Sequence, residues 1–232
     1  MVGPVTAAEP GAFVREHTGL ATVPFVPELR IHQADDAIAL WEETEARHGG
    51  PGLAPPFWAF PWAGGQALAR YVLDNPSLVA GRSVCDIAAG SGLVALAASR
   101  AGASRVHAVE IDPYATAAIA MNAAANRLAV TPLLADLLAD ASAAPDAEVF
   151  LAGDVFYNRD MAARMLAFFQ AARGRDRVVL VGDPGRAYVP VAALERVADY
   201  DVPVVRDLED ADVRRSTVWR VRPQVTSTGP RA

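Results

Sequence analysis

Four acids punctuate the middle of this chain. Asp86, Glu110, Asp136 and Asp154 close the apolar runs "SVCD", "RVHAVE", "TPLLAD" and "AEVFLAGD". In sheets of alternating strands and helices, the carboxyl ends of the strands open onto ligand crevices, so acids placed there suit chemistry. The residues around each acid suggest different tasks. Beyond Asp86 the chain turns small, through Ala88, Ala89, Gly90, Ser91 and Gly92, and a helical pattern follows. Small residues let a backbone approach a ligand closely, and a helix start adds free amides and partial positive charge. Such a turn favours an anionic group, a phosphate or a carboxylate. Glu110 comes roughly 24 residues after Asp86, where nucleotide-binding sheets set an acid on ribose hydroxyls. Asp136, closing the third run, would lie near the edge of an adenine. Asp154 closes the fourth run, with Tyr157 three residues beyond it.

These positions separate two ligands. A dinucleotide fingerprint requires G-x-G-x-x-G, and the residues from Gly90 give only Gly90, Gly92 and Ala95. Asp86 would also face a pyrophosphate and repel it, whereas it suits a cationic amino group. S-adenosylmethionine carries an amino group, a carboxylate, a ribose and an adenine, and the acids occur in the order that would meet them. An α/β domain with ordinary turns and solvated strand-end acids is the plainer alternative.

The elements that must hold these residues follow from hydrophobic period. Near-continuous apolar runs begin at Ser83, Arg105, Thr131, Ala147 and Asp176, and helical stretches lie at 91–102, 112–127 and 159–173. Such alternation predicts parallel strands covered on both faces. "YDVPVVRDL" and "RRSTVWRVRP" follow each other closely, as a terminal antiparallel pair would. The fold class is therefore α/β: a doubly wound, mostly parallel seven-stranded sheet with an N-terminal extension. One domain is expected over 1–232, its extension at 1–56 and its core at 57–222. In the extension, "AFVREHTG" is a helix, "ELRIHQA" a strand, and Asp35 a cap for the helix "DAIALWEETEARHG" before the breaker-rich loop "GGPGLAPP". Gln66 to Asp74 is helical, and Pro76 ends it.

Composition narrows the classes. A chain of 232 residues that is 52% hydrophobic can build a sizeable core. The net charge of -6 gives no bulk attraction to nucleic acid or to an anionic membrane, so neither is expected as a partner. Every basic side chain is arginine, which reads as compositional bias. Cys85 is the single cysteine and sits within a strand, so it reads as a buried, inert thiol. His17, His32, His48 and His107 lack metal-ligand spacing, so no metal is expected. The first residues do not resemble a signal peptide and no apolar run would span a bilayer, so a reducing cytoplasm is the simplest location.

With these residues in view, the sequence resembles the class I, or seven-β-strand, methyltransferases, and within them the electron-transfer flavoprotein β-subunit lysine methyltransferases. "DIAAGSG" resembles the motif D-x-G-x-G-x-G, with Ala88 where the first glycine is usual; a methyl there is tolerated if the residue keeps a negative φ. "AVEIDP" resembles the second motif, which gives Glu110 the ribose. "PFWAFPWAGGQALARYVLDNP" resembles the segment before the first motif, with Trp62 in the W-x-G-G position. "GDVFYN" resembles the branch's D-x-x-Y motif, as Asp154 and Tyr157, and "VGDPGR" and "STVW" also look like this subgroup. The likeness runs from about Ala12 to Trp219. It implies a Rossmann-like methyltransferase fold and S-adenosylmethionine as cofactor, held by Trp62, Asp86, Ala88, Gly90, Gly92, Glu110 and Asp136. It also implies catalysis by Asp154 and Tyr157, and the β subunit of electron-transfer flavoprotein as protein substrate.

Plainer readings stand beside these. Phe57, Trp58 and Trp62 could form an ordinary aromatic patch in the core, Tyr157 could pack at a helix start, and "RGRDR" at 173–177 reads as a solvated loop. "DVFY" lacks both prolines of the N/D-P-P-Y/F motif that methyltransferases of adenine and of glutamine amides resemble one another in. A small-molecule N-methyltransferase acting on a nicotinamide-like amine, and a non-catalytic module that binds S-adenosylmethionine, are the alternatives.

Overall fold

A computed structural model describes residues 8–47, 55–173, 177–204, 209 and 211–223. The predicted loop at 49–56, His48 and the middle of the 173–177 cluster lie wholly or largely outside the described residues. The elements are α1 (Ala8–His17), β1 (Gly19–Val23), β2 (Val26–Gln33), α2 (Ala37–Arg47), α3 (Ala63–Asp74), β3 (Ser83–Ile87), α4 (Leu93–Arg100), β4 (Arg105–Glu110), α5 (Pro113–Asn126), β5 (Thr131–Leu134), β6 (Val149–Gly153), α6 (Arg159–Arg173), β7 (Val178–Asp183), β8 (Leu194–Pro203) and β9 (Val213–Val221).

Seven strands form one sheet in the order β5-β4-β3-β6-β7-β9-β8. The first five pair in parallel, and β9 runs antiparallel to both β7 and β8. The order reverses between β4 and β6 around β3, and the crevice at such a switch point is where α/β sheets hold ligands. Side chains alternate across the sheet as the pleat requires. Val84, Val106, Val149, Leu151 and Leu180 face α3, α4 and part of α5. Cys85, Ile87, Phe150, Ala152, Val179 and Val181 face Met165, Phe168 and Phe169 of α6. This double coverage explains the continuous apolar runs.

The extension is tied to the core by polar bonds as well as packing. β1 and β2 form an antiparallel hairpin. The buried Asn122 on α5 accepts from the His32 amide at 2.7 Å and donates to the Ser91 carbonyl at 2.9 Å, so one side chain joins the hairpin to the small-residue turn. Gln66 accepts from the Phe25 amide and donates to the Pro61 carbonyl. Phe13 of α1 packs against Tyr114 of α5, with ring centroids 4.9 Å apart.

Several expectations are corrected. β1 was not anticipated: "GLATV" is short and mostly exposed, so it carries little periodic signal. Asp36, not Asp35, caps α2, accepting from the Ile38 and Ala39 amides. α3 starts at Ala63 rather than Gln66, through two glycines that weaken a sequence-based helix reading. β8 lies at 194–203 rather than 200–208, because its half-exposed pattern dilutes the apolar signal. No helix among the described residues is long and apolar enough to cross a membrane.

Candidate active site

The carboxyl ends of β3, β4, β6 and β7 converge on a cavity of about 350 Å³ whose walls include Asp86, Ala88, Gly90, Ser91, Glu110 and Asp154. A second cavity of about 230 Å³ continues past Glu110 to Asp136 and Leu138. Ala88, Glu110, Tyr157 and Met161 line both. The four acids therefore lie along one connected crevice.

Asp86 is buried at the floor. One oxygen, Oδ2, accepts from the Ala95 amide in the first turn of α4 at 2.9 Å. The other, Oδ1, is buried without a hydrogen-bond partner among the described residues. Burial, with the Glu110 charge adding to it, pushes this carboxyl up to about 8. An orphaned acceptor in a cavity wall is a seat for a cationic donor. The turn above it is left-handed at Ala88 (φ 51°), Gly90 (φ 53°) and Gly92 (φ 78°). At Gly92 a side chain would also press within 3.0 Å of Ile119. The condition on which a methyl at Ala88 would be tolerated without strain, a negative φ, is not met: the residue is left-handed while carrying a methyl group.

Glu110 Oε1 accepts from the Gly90 amide at 3.0 Å, and Oε2 from the Ile111 amide at 2.8 Å. Burial raises its carboxyl above the usual range against those bonds. Asp136 lies two residues beyond the end of β5, where Oδ1 accepts from the Leu138 and Ala139 amides. It stands on the loop rather than at the strand's last residue.

Asp154 follows the last residue of β6 in a left-handed conformation (φ 56°) that lifts its carboxylate toward α3. Oδ2 accepts from the Gly65 amide at 3.1 Å, and Oδ1 accepts from Arg186 Nε at 3.2 Å and Nη2 at 2.9 Å. Burial, reinforced by Glu209 and Asp183 and opposed by Arg186, pushes the Asp154 carboxyl up to about 6. Tyr157 is 46% exposed at the rim, its ring 5.5 Å from that of Phe57. Trp62 precedes α3, donates from Nε1 to the Phe57 carbonyl at 2.8 Å and lines the same cavity. The aromatic cluster thus divides: Trp58 is core, packed with Phe13 and Tyr114, whereas Phe57 and Trp62 face the crevice.

The comparisons with known proteins bear on this crevice. A model of the family "Ribosomal protein L11 methyltransferase (PrmA)" matches residues 67–153, the segment from α3 to the end of β6. The electron transfer flavoprotein beta subunit lysine methyltransferase of Xenopus laevis is 34% identical over 94% of this chain and 89% of its own length. The human protein of the same name is 34% identical over 91% of this chain and 82% of its length, and that of Danio rerio 36% over 84% and 76%. This chain belongs to that family. It is a methyltransferase, and S-adenosylmethionine is its cofactor. The fold is shared with the T. thermophilus 16S rRNA N2 G1207 methyltransferase, solved with AdoMet and guanosine (16% identity, 90% of this chain and 50% of that one, TM-score 0.57). Trm5b of Pyrococcus abyssi shares it too, at 14% identity, 88% of this chain, 56% of that one and TM-score 0.53.

Sequence reasoning missed the partners of Asp154. Arg186 sits in "VGDPGR", where the Asp183 carboxylate accepts from the Gly185 and Arg186 amides at 2.7 Å and turns the chain back toward β6. Glu209 accepts from the Ala63 amide at 3.2 Å and lies 3.6 Å from Arg186 Nη2. Gly64 and Gly65 were legible only as part of a motif. At Gly64 the reason is steric: a Cβ there would collide with the Gly182 carbonyl and come within 2.6 Å of Asp154 Oδ2. The signal that could have found Arg186 is its place just after the fifth strand of the sheet, at the same carboxyl edge as the acids.

Proposed function

We propose that this protein transfers a methyl group from S-adenosylmethionine to lysine side chains of a protein, the β subunit of electron-transfer flavoprotein, in the cytoplasm. The observation that carries the reading is the run of acids along one crevice, ending at a buried carboxylate beside α3. The family relationship supports the β subunit as the substrate.

The residues present fit the cofactor. Asp86 Oδ1, buried and unpartnered among the described residues, would take its ammonium. The turn from Ala88 to Gly92 leaves room for its carboxylate, Glu110 would take the ribose hydroxyls, and Asp136 would border the adenine. Trp62 would wall the opposite side. When bound, S-adenosylmethionine supplies a methyl group on a sulfonium, which leaves sulfur as the bond to the neutral lysine nitrogen forms.

Asp154 and Tyr157 act on the acceptor. A lysine near its ordinary pKa of about 10.4 costs roughly 4.6 kcal/mol to deprotonate at pH 7. A carboxylate alone favours the ammonium form, so Asp154 serves to draw in and orient the side chain rather than to strip its proton. The proton then leaves to water rather than resting on a carboxyl held near 6. Tyr157 with Phe57 walls the entry and keeps the nitrogen aligned, and alignment is a large part of the rate.

The test is Asp154→Ala. Turnover on the β subunit should fall by about 100-fold or more, while binding of S-adenosylhomocysteine, measured by calorimetry, stays within a few-fold. An active variant removes Asp154 from the reaction. An inactive variant that also fails to bind cofactor moves it to the cofactor site.

A further inference from the structure

Arg186 occupies the position that the target cation would need. Both of its near nitrogens donate to Asp154 Oδ1, and Asp154 Oδ2 is already taken by the Gly65 amide. A lysine entering the crevice therefore meets a carboxylate on which Arg186 already takes both sites of Oδ1 and the Gly65 amide one site of Oδ2. A second carboxylate lies beside it. Glu209 Oε2 is buried without a hydrogen-bond partner among the described residues, 3.6 Å from Arg186 Nη2 and 3.8 Å from Arg214 Nε. Its Oε1 is fixed on the Ala63 amide, so Oε2 stays in place.

Among the described residues, the acids of this cluster outnumber its arginines. Among the described residues, three carboxylates are buried together: Asp154 and Glu209 share the guanidinium of Arg186, Arg214 lies beside Glu209, and Asp183 accepts from backbone amides. Buried charge is tolerated when it is paired, so among the described residues these carboxylates can accommodate a further cation. Asp183 holds the Arg186 backbone through two amides, which leaves the side chain free to swing from a fixed base. The face of Trp62, 5.8 Å from the guanidinium, gives it an aromatic surface to move along.

We propose that Arg186 is a positioning residue that stands in for the target ammonium on Asp154 and moves to the open oxygen of Glu209 when the target side chain enters. The proposal rests on Asp154 being the acceptor's carboxylate, as argued above. The exchange gives each carboxylate its own cation: lysine on Asp154, Arg186 on Glu209. It favours a cationic side chain, because a neutral amine could not replace a guanidinium without stranding a carboxylate.

The test is steady-state methylation of the β subunit by Glu209→Gln, Arg186→Gln and the double variant, with S-adenosylhomocysteine affinity measured for each. The Glu209→Gln side chain would keep an oxygen for the Ala63 amide, but without charge it is a poor seat for the guanidinium. Glu209→Gln should raise KM for the protein substrate roughly tenfold with kcat within about twofold. Arg186→Gln should not raise KM, and adding it to Glu209→Gln should cancel the rise. Cofactor affinity should not move. An unchanged KM in Glu209→Gln, or a double variant worse than either single one, would overturn the proposal. Should Glu209→Gln not fold, affinity of Arg186→Gln for a lysine peptide of the β subunit decides: undiminished affinity supports the stand-in, and weakened affinity overturns it. If the wild type methylates the subunit and Asp154→Ala does not, such failures fall on Arg186 alone. If Asp154→Ala stays active, the underlying reading falls first.

Discussion

Asp86 is held in readiness for a cation. Its folded-state value of about 8 lies above the ordinary carboxylate value, so its contribution to stability is present in acid and is lost as pH rises from about 4 through about 8. An ammonium beside it reverses the preference and favours the ionised form. Binding of S-adenosylmethionine at pH 7 should therefore release up to about one proton. Calorimetry in two buffers of different ionisation enthalpy measures this, and no buffer dependence would contradict it. Asp86→Asn should lose cofactor affinity while gaining thermal stability over the wild type as pH is raised toward about 8. Ala88 shows strain of a different kind. An L-residue at φ 51° carries about 1 kcal/mol of steric cost, which glycine lacks. Ala88→Gly should raise unfolding stability by up to about 0.6 kcal/mol in urea titration, net of the added freedom of the unfolded chain; a loss of stability would show that the methyl packs to advantage. Asp86 and Glu110 were legible because strand-end acids announce themselves by position. Arg186 was not, because its pairing depends on a turn that folds back across the sheet.

α3 depends on the site as much as the site depends on it. Its first turn has no side-chain cap of its own, and two of its open amides are met from elsewhere in the chain: Ala63 by Glu209 and Gly65 by Asp154. The helix can come this close only because Gly64, Gly153 and Gly182 leave a seam without side chains, in which a Cβ at Gly153 would lie 2.7 Å from Gly65 Cα. Gly64→Ala should destabilise the protein by about 1–3 kcal/mol, the usual cost of overpacking, and should lower activity further by displacing Asp154. Gly65→Ala, at a position with open space around its Cβ, should be far milder; equal effects in urea titration would argue against the seam. The central elements were legible because parallel strands covered on both faces read as apolar runs. α3's first turn was hidden by these glycines, and β1 by its exposure. The cap of α2 was misplaced by one residue because Asp35 and Asp36 are adjacent, and only geometry decides which one reaches the amides.

At the scale of the molecule, the sheet sets a series of acids along one edge, buried at Asp86 and Asp154, and the family relationship names the chemistry at its end. The extension is part of that arrangement, since Asn122 ties the hairpin to the turn above Asp86. The enzyme is net acidic and contains no lysine, so lysine automethylation cannot confuse an assay. Charge complementarity favours a basic surface segment on the substrate, with salt weakening the encounter. The most direct measurement is incubation of the enzyme with S-adenosylmethionine and purified β subunit of electron-transfer flavoprotein, followed by peptide mass spectrometry. The expected result is added methyl groups on defined lysines of that subunit, absent when those lysines are changed to arginine. An unmodified subunit alongside efficient methylation of a free amine such as nicotinamide would contradict it.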